Sequence, residues 1–182
     1  MIFGATGTGK TTLAAEFAKR TGFTHIDSDD YYWKRTNPPF QEKVPLTERN
    51  EKLKRDFYKH ENVIVSGSMI SWGEEWKTAF DLAIFLIVEN TIRLERLKKR
   101  EKERYGKKLL TDKRIQKISK EYLDWAKQYE NLNFDGTTIK THTNWIPQIE
   151  CEVLTLNGAC EPDQNVEKVL NKLNNMANER KP

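Results

Sequence analysis

Cysteine and histidine are scarce in this 182-residue chain, with two of the first and three of the second. Cys151 and Cys160 cannot build a disulfide framework, and His25, His60 and His142 show no ligand spacing that would complete a metal site with them. Long apolar runs are missing too: the longest, residues 82–88, is far below the ~20 residues that cross a bilayer. No basic leader with an apolar core opens the chain, so a reduced, cytoplasmic setting away from membranes is the expectation. Neither charge predominates, because 31 Lys and Arg stand against 27 Asp and Glu for a net +4. The excess is local. Residues 93–120 hold 13 basic and 4 acidic residues, a local +9, so the rest carries 18 against 23, a net −5. A nearly neutral chain with one positive segment argues against generic polyanion binding. A nucleic-acid groove would also want aromatics among those basic residues, and Tyr105 is the only one before Tyr122.

What is present suits one domain over residues 1–182: 37% hydrophobic and 10% aromatic residues supply a core. Short β-branched runs alternate with longer helical stretches, the pattern of a parallel sheet flanked by helices. Strands are predicted at 1–3, 24–26, 62–66, 82–88 and 152–156, with helices at 11–20, 47 to about 60, 91–104, 112–130 and 166–176. The tail at 178–182 reads as frayed, and three residues are short for a buried first strand.

Gly4-Ala5-Thr6-Gly7-Thr8-Gly9-Lys10-Thr11 matches G-x-x-x-x-G-K-[ST] in full, between a predicted strand and helix. Glycines let backbone amides curl around phosphate oxygens, and the helix start adds free N–H donors and a favourable dipole. Lys10 then faces the β- and γ-phosphates, the Thr11 hydroxyl ligates Mg²⁺, and Thr12 adds a contact to the α-phosphate. Gly4, Thr6, Gly7, Thr8 and Gly9 complete the nucleotide cradle. The expected cofactors are ATP and Mg²⁺.

The second strand ends in Asp27-Ser28-Asp29-Asp30, followed by Tyr31, Tyr32 and Trp33. Three carboxylates in four residues exceed what one helix cap needs, and the carboxyl ends of parallel strands are where ligands sit. Here the chain resembles the small P-loop kinases that include shikimate kinase and the adenylate kinase group. Asp27-Ser28-Asp29 is similar to shikimate kinase's Asp-x-Asp, which implies that Asp27 helps hold Mg²⁺ and Asp29 meets the phosphate acceptor. Strand three departs from that enzyme by ending Ser66-Gly67-Ser68 rather than in consecutive glycines. Arg96-Leu97-Lys98-Lys99-Arg100 resembles the lid entrance of adenylate-kinase-like enzymes, which implies Arg96 near adenine or its phosphates and Arg100 on the transferred phosphoryl group. Independently, Arg96, Arg100 and Arg104 at i, i+4 and i+8 share a helix face, with Leu94 and Leu97 available to anchor it. The lysines among them read as a solvated face.

Further along, the Tyr122–Tyr129 run and His142-Thr143-Asn144-Trp145 are similar to a bacterial group of P-loop kinases often labelled AAA-family ATPase or adenylate-kinase-like. Tyr122, Trp125 and Tyr129 read first as a core stripe, and His142 as structural. The loop after the last strand, Asn157-Gly158, resembles the adenine border of these folds, where side-chain identity matters little.

The expectation is therefore an α/β three-layer P-loop fold with about five parallel strands and a short helical lid. Its function is Mg-assisted transfer of ATP's γ-phosphoryl group to a small acceptor, with Lys10, Asp29 and Arg100 catalytic. Residues 31–60 form the acceptor-binding insert and 93–120 the basic lid. The acceptor class stays open among nucleosides, nucleotides and other hydroxylated metabolites. No carboxylate ends residues 63–66, so the second acidic residue of motor ATPases is missing there. The alternatives are a regulatory ATPase acting through a partner and a non-catalytic ATP-binding protein.

Overall fold

In the computed structural model, which describes residues 1–179, the strands are β1 (Ile2–Phe3), β2 (Thr24–Asp27), β3 (Val63–Ser66), β4 (Leu82–Ile87) and β5 (Glu152–Asn157). The helices are α1 (Lys10–Thr21), α2 (Asp29–Tyr32), α3 (Leu46–Phe57), α4 (Asn90–Tyr105), α5 (Lys108–Thr111), α6 (Lys113–Lys127), α7 (Ile139–Trp145) and α8 (Pro162–Glu179). All five strands are parallel, in the order β2-β3-β1-β4-β5.

Side chains alternate across a strand, and here the alternation divides the apolar residues into two cores. Ile2, Ile64 and Ile84 face α1 and α8 through Leu13, Phe17, Val166 and Val169. Phe3, Val65 and Phe85 face the other way, onto Leu53 of α3, Trp72, Trp76 and Trp145 of α7. β4 lies between β1 and β5 and is apolar almost throughout because both its faces are covered. β1 is only two residues long yet central, paired to β3 at Ile2↔Ser66 and to β4 at Ile2↔Ile84 and Phe3↔Phe85. The chain leaves β1 toward one edge and, after β3, crosses to the other. That reversal opens a crevice at the carboxyl ends of the central strands.

Several boundaries differ from the sequence reading. α8 begins at Pro162, a residue suited to a first helical turn, and Asn165 ties that turn to β5 by donating to the Asn157 carbonyl at 2.9 Å. It continues to Glu179, so the tail expected to fray from residue 178 is helical that far, and residues 180–182 lie outside the described residues. Asp112 is a cap rather than a helical residue, accepting from the Arg114 and Ile115 N–H groups, and residues 128–130 form a 3-10 turn after α6. α3 ends at Phe57, short of His60. The short helices α2, α5 and α7 escape a periodicity argument; α7 is fixed instead by a reciprocal Thr138–Thr141 capping box. Among the described residues no helix is long and apolar enough to cross a membrane.

Candidate active site

The phosphate loop leaves β1 with Gly4, Gly7 and Gly9 at φ 139°, 82° and 95°, a left-handed run that side chains other than glycine resist. It closes on itself: Thr8 Oγ1 donates to the Ala5 carbonyl at 2.9 Å, and Lys10 Nζ donates to the same oxygen at 2.8 Å. Lys10 and Thr11 open α1, whose Leu13, Ala14 and Phe17 lock it to the sheet, so the loop is carried on a rigid element. Thr12 follows, exposed, in the first turn.

β2 and β3 deliver the acidic residues beside this loop. Ser28 N–H donates to the Ser66 carbonyl at 2.8 Å, extending the ladder to the start of α2. Asp27 Oδ2 accepts from Thr11 Oγ1 at 2.8 Å, and its Oδ1 accepts from the Asp29 N–H at 3.0 Å. Both of its oxygens are thus oriented, one toward the phosphate loop. Desolvation within the cleft pushes the Asp29 carboxyl above the usual carboxylate range, and the neighbouring Asp27 charge adds to this, while Lys10 and Arg100 pull the other way. Asp30 is exposed on the next position of α2. Thr11 and Asp27 offer hard oxygen donors side by side, a set that suits Mg²⁺ with waters completing its shell.

Burial dominates at Lys10 and lowers its ammonium to about 8, against the raising effect of Asp29 and Asp27; Arg100 and Arg93 lower it further. This burial therefore costs the folded protein stability below pH 8, and the cost fades as pH rises from about 8 toward 10.5. A bound phosphate would favour the charged form, so ATP binding is expected to take up a proton. Calorimetry in buffers of different ionisation enthalpy is expected to show uptake of about half a proton at about pH 8 and little at about pH 7. Equal uptake at both would contradict the assignment.

α4 brings its arginines to the loop from the β4 side. Arg96 Nη1 donates to the Gly158 carbonyl at 2.9 Å and lies 3.5 Å from the Thr8 carbonyl, joining the β5 exit to the phosphate loop. Arg100 donates to Thr6 Oγ1 at 3.3 Å and to the Tyr122 hydroxyl. Arg104 turns aside to Glu101 at 2.6 Å and lies over the Phe40 ring, so the third arginine of the stripe does not join the loop. The lysines behave as a solvated face, with exposed pairs Lys99–Glu103, Lys117–Glu121 and Lys120–Asp124 that contribute little stability.

Three residues of the site escaped the sequence reading. Arg93, fully buried, donates to the Thr6 carbonyl at 3.0 Å, to Asn90 and to both Glu130 oxygens, with its guanidinium 4.9 Å from the Tyr129 ring centroid. Tyr122 was expected in the core but reaches the phosphate loop instead, and Trp125, its partner in that stripe, is 43% exposed. Only Tyr129 of the three is buried. Gly158 matters by identity: a Cβ there would lie 2.3 Å from the Thr8 carbonyl and 2.9 Å from Leu86 and Val88 side-chain atoms. The signal available for Arg93 was its i, i+4 step to Leu97, which is also buried.

His142, read from the sequence as structural, lies in the core. It is fully buried among Phe3, Phe85 and Tyr129, 2.7 Å from the Tyr129 hydroxyl at Nδ1 and 3.4 Å from Ser68 Oγ at Nε2. Burial, reinforced by Lys10, lowers it to about 3, so the ring is neutral and a poor base. Trp145 packs edge-on against Phe3. A groove of about 580 Å³ lies against the amino ends of β3 and β4, lined by none of the phosphate-loop, acidic or arginine residues described above.

Comparison with known proteins agrees with this geometry. Residues 1–124 match the model of the AAA-domain family. The chain is 37% identical over 172 residues to the Bacillus subtilis protein YqaC, covering 94% of this chain and 95% of that one. Its fold is similar to deoxyadenosine kinase from M. mycoides, with TM-score 0.55, 20% identity and coverage of 96% and 97% of the two chains. It is also similar to shikimate kinase from Bacteroides thetaiotaomicron, with TM-score 0.54, 19% identity and coverage of 95% and 97%. A gluconokinase from Sinorhizobium meliloti aligns at TM-score 0.51 and 11% identity, covering 98% and 92%. With two thirds of its length matched by one family, the chain belongs to the AAA-domain family, and its phosphate loop is set in a fold similar to that of these kinases.

Proposed function

We propose that the protein transfers the γ-phosphoryl group of Mg·ATP to a small hydroxylated acceptor. The observation that carries this reading is the placement of Asp27 and Asp29: one carboxylate bonds the Thr11 hydroxyl at the phosphate loop, and the other stands two residues along, at the start of α2, within the influence of the Lys10 and Arg100 charges. Lys10 and Arg100 set positive charge where the transferring group gathers negative charge, the main requirement of a loose phosphoryl transition state. Thr11 and Asp27 would hold Mg²⁺, which would supply neutralisation of negative charge on the phosphates. Asp29 orients the acceptor hydroxyl and takes its proton; a carboxyl raised above its ordinary range is better matched to that work than a normal one.

Within this reading residues 1–182 act as one domain, residues 31–60 bind the acceptor, and residues 93–120 are the lid, with Arg96 bracing the adenine side. ATP use and two cysteines outside any disulfide suit the cytoplasm. The fold neighbours named above are kinases of a nucleoside, of shikimate and, by its name, of gluconate, which supports a small hydroxylated acceptor without choosing among them.

The test is ADP release from Mg·ATP against a panel of deoxyadenosine, nucleoside monophosphates, shikimate, gluconate and sugars. At least one compound is expected to raise release well above background. Asp29→Asn is then expected to cut the acceptor-dependent rate by about a hundredfold or more while ATP affinity stays within about twofold. An Asp29→Asn protein with undiminished acceptor-dependent release would remove Asp29 from this role.

A further inference from the structure

Thr6 of the phosphate loop is held at both its polar ends. Its carbonyl accepts from Arg93 at 3.0 Å, while its hydroxyl lies 2.9 Å from the Tyr122 hydroxyl and 3.3 Å from an Arg100 nitrogen that also donates to Tyr122. Tyr122 projects from α6, its ring stacked on Trp125 at a centroid separation of 6.1 Å, with the Arg100 guanidinium 5.9 Å from the Tyr122 centroid. The two hydroxyls share one hydrogen bond, which uses one of their two protons. Arg100 supplies donors to both oxygens and accepts nothing. One hydroxyl proton is therefore left over at the apex of the triangle, beside the Arg100 guanidinium. A guanidinium and a spare hydroxyl donor side by side on the phosphate loop suit an anion with several acceptor oxygens.

We propose that Tyr122 is a positioning residue whose hydroxyl holds Arg100 against Thr6, so that the guanidinium meets the terminal phosphoryl group of a bound triphosphate. The proposal rests on the nucleotide-binding reading of the phosphate loop, not on any particular acceptor. It makes α6 part of the nucleotide site and gives the protein a means of telling a triphosphate from a diphosphate. Arg100 alone, on an exposed helix face, would spend rotamer freedom to reach the same place; the Tyr122 hydroxyl and ring restrict it beforehand.

Tyr122→Phe tests this directly, because it keeps the ring and its stack on Trp125 and removes only the hydroxyl. Binding of Mg·AMP-PNP and Mg·ADP is measured by calorimetry, alongside the thermal midpoint. The wild type is expected to prefer the triphosphate analogue. Tyr122→Phe is expected to lose about tenfold in affinity for AMP-PNP, the size of one charge-assisted hydrogen bond, with ADP affinity and midpoint unchanged. Arg100→Ala is expected to show the same selective loss, and the double variant no more than the single ones. Unchanged affinities, or an equal fall for both nucleotides with a lowered midpoint, would overturn the proposal and leave Tyr122 a packing residue. A wild type that binds both nucleotides without preference would overturn it as well. A wild type that binds neither would end the nucleotide reading and this proposal with it.

Discussion

Lys10→Ala is expected to lower nucleotide turnover by about a hundredfold to a thousandfold without unfolding the protein. The Lys10 ammonium donates to the Ala5 carbonyl at 2.8 Å, a contact within the loop that a bound phosphate would replace. Burial lowers its pKa, so the charged form is held at a cost. Removing it relieves that cost while deleting the charge that the β- and γ-phosphates meet. Melting is therefore expected at the wild-type temperature or slightly above, and the loss falls on turnover and ATP affinity. Lys10→Arg is not expected to rescue, because a planar guanidinium does not fit the space of a compact ammonium curled beneath the loop. A Lys10→Ala protein that melts early and still turns over ATP in proportion to its folded fraction would show a merely structural lysine.

Arg93→Ala carries the largest expected loss of stability. This guanidinium is 0% exposed and joins the Thr6 carbonyl, Asn90, Glu130 and the Tyr129 ring. Its removal leaves a cavity under α4 and strands the Thr6 carbonyl. Glu130 is half-exposed and re-solvates, which moderates the penalty. The expected cost is about 2–4 kcal/mol from cavity and unpaired groups, a fall of about 10 °C in melting temperature for a chain of this size. Arg93→Met separates two roles. Methionine refills apolar volume but cannot donate to Thr6, so it is expected to recover much of the stability and little of the ATP affinity. Equal recovery of both in thermal melts and calorimetry would mean that Arg93 only fills space.

What could be read from the residues divides along physical lines. The phosphate loop was legible in full because backbone cradling of phosphate demands glycines at fixed spacing, and Lys10 and Thr11 follow from it. The sheet was legible because β4 is apolar on both faces, a pattern only a covered parallel strand needs. The hydrogen bond between Asp27 and Thr11 was not read from the sequence, where the resemblance to shikimate kinase implied only that Asp27 helps hold Mg²⁺. It comes from the placement of the β2 end beside the loop. Tyr122 was not legible, since an aromatic at i, i+3 and i+7 from others reads as core until the helix is rotated in space. That rotation is set by tertiary packing of α6 on α4, where Ile115, Ser119 and Ala126 are buried instead. Gly158 escaped for a related reason, because the approach of the Thr8 carbonyl to it comes from another part of the chain. Arg93 looked like one more member of a basic run, and its burial depends on Glu130, 37 residues away.

The claim on which the rest depends is that the γ-phosphoryl group leaves ATP for an organic hydroxyl. Its most direct measurement follows γ-³²P-labelled ATP with Mg²⁺ and the acceptor panel, separating the products by chromatography. The label is expected to appear on one acceptor class, in step with ADP and dependent on Asp29. Label recovered only as inorganic phosphate, at a rate no small compound changes, would contradict the account and make the protein an ATPase.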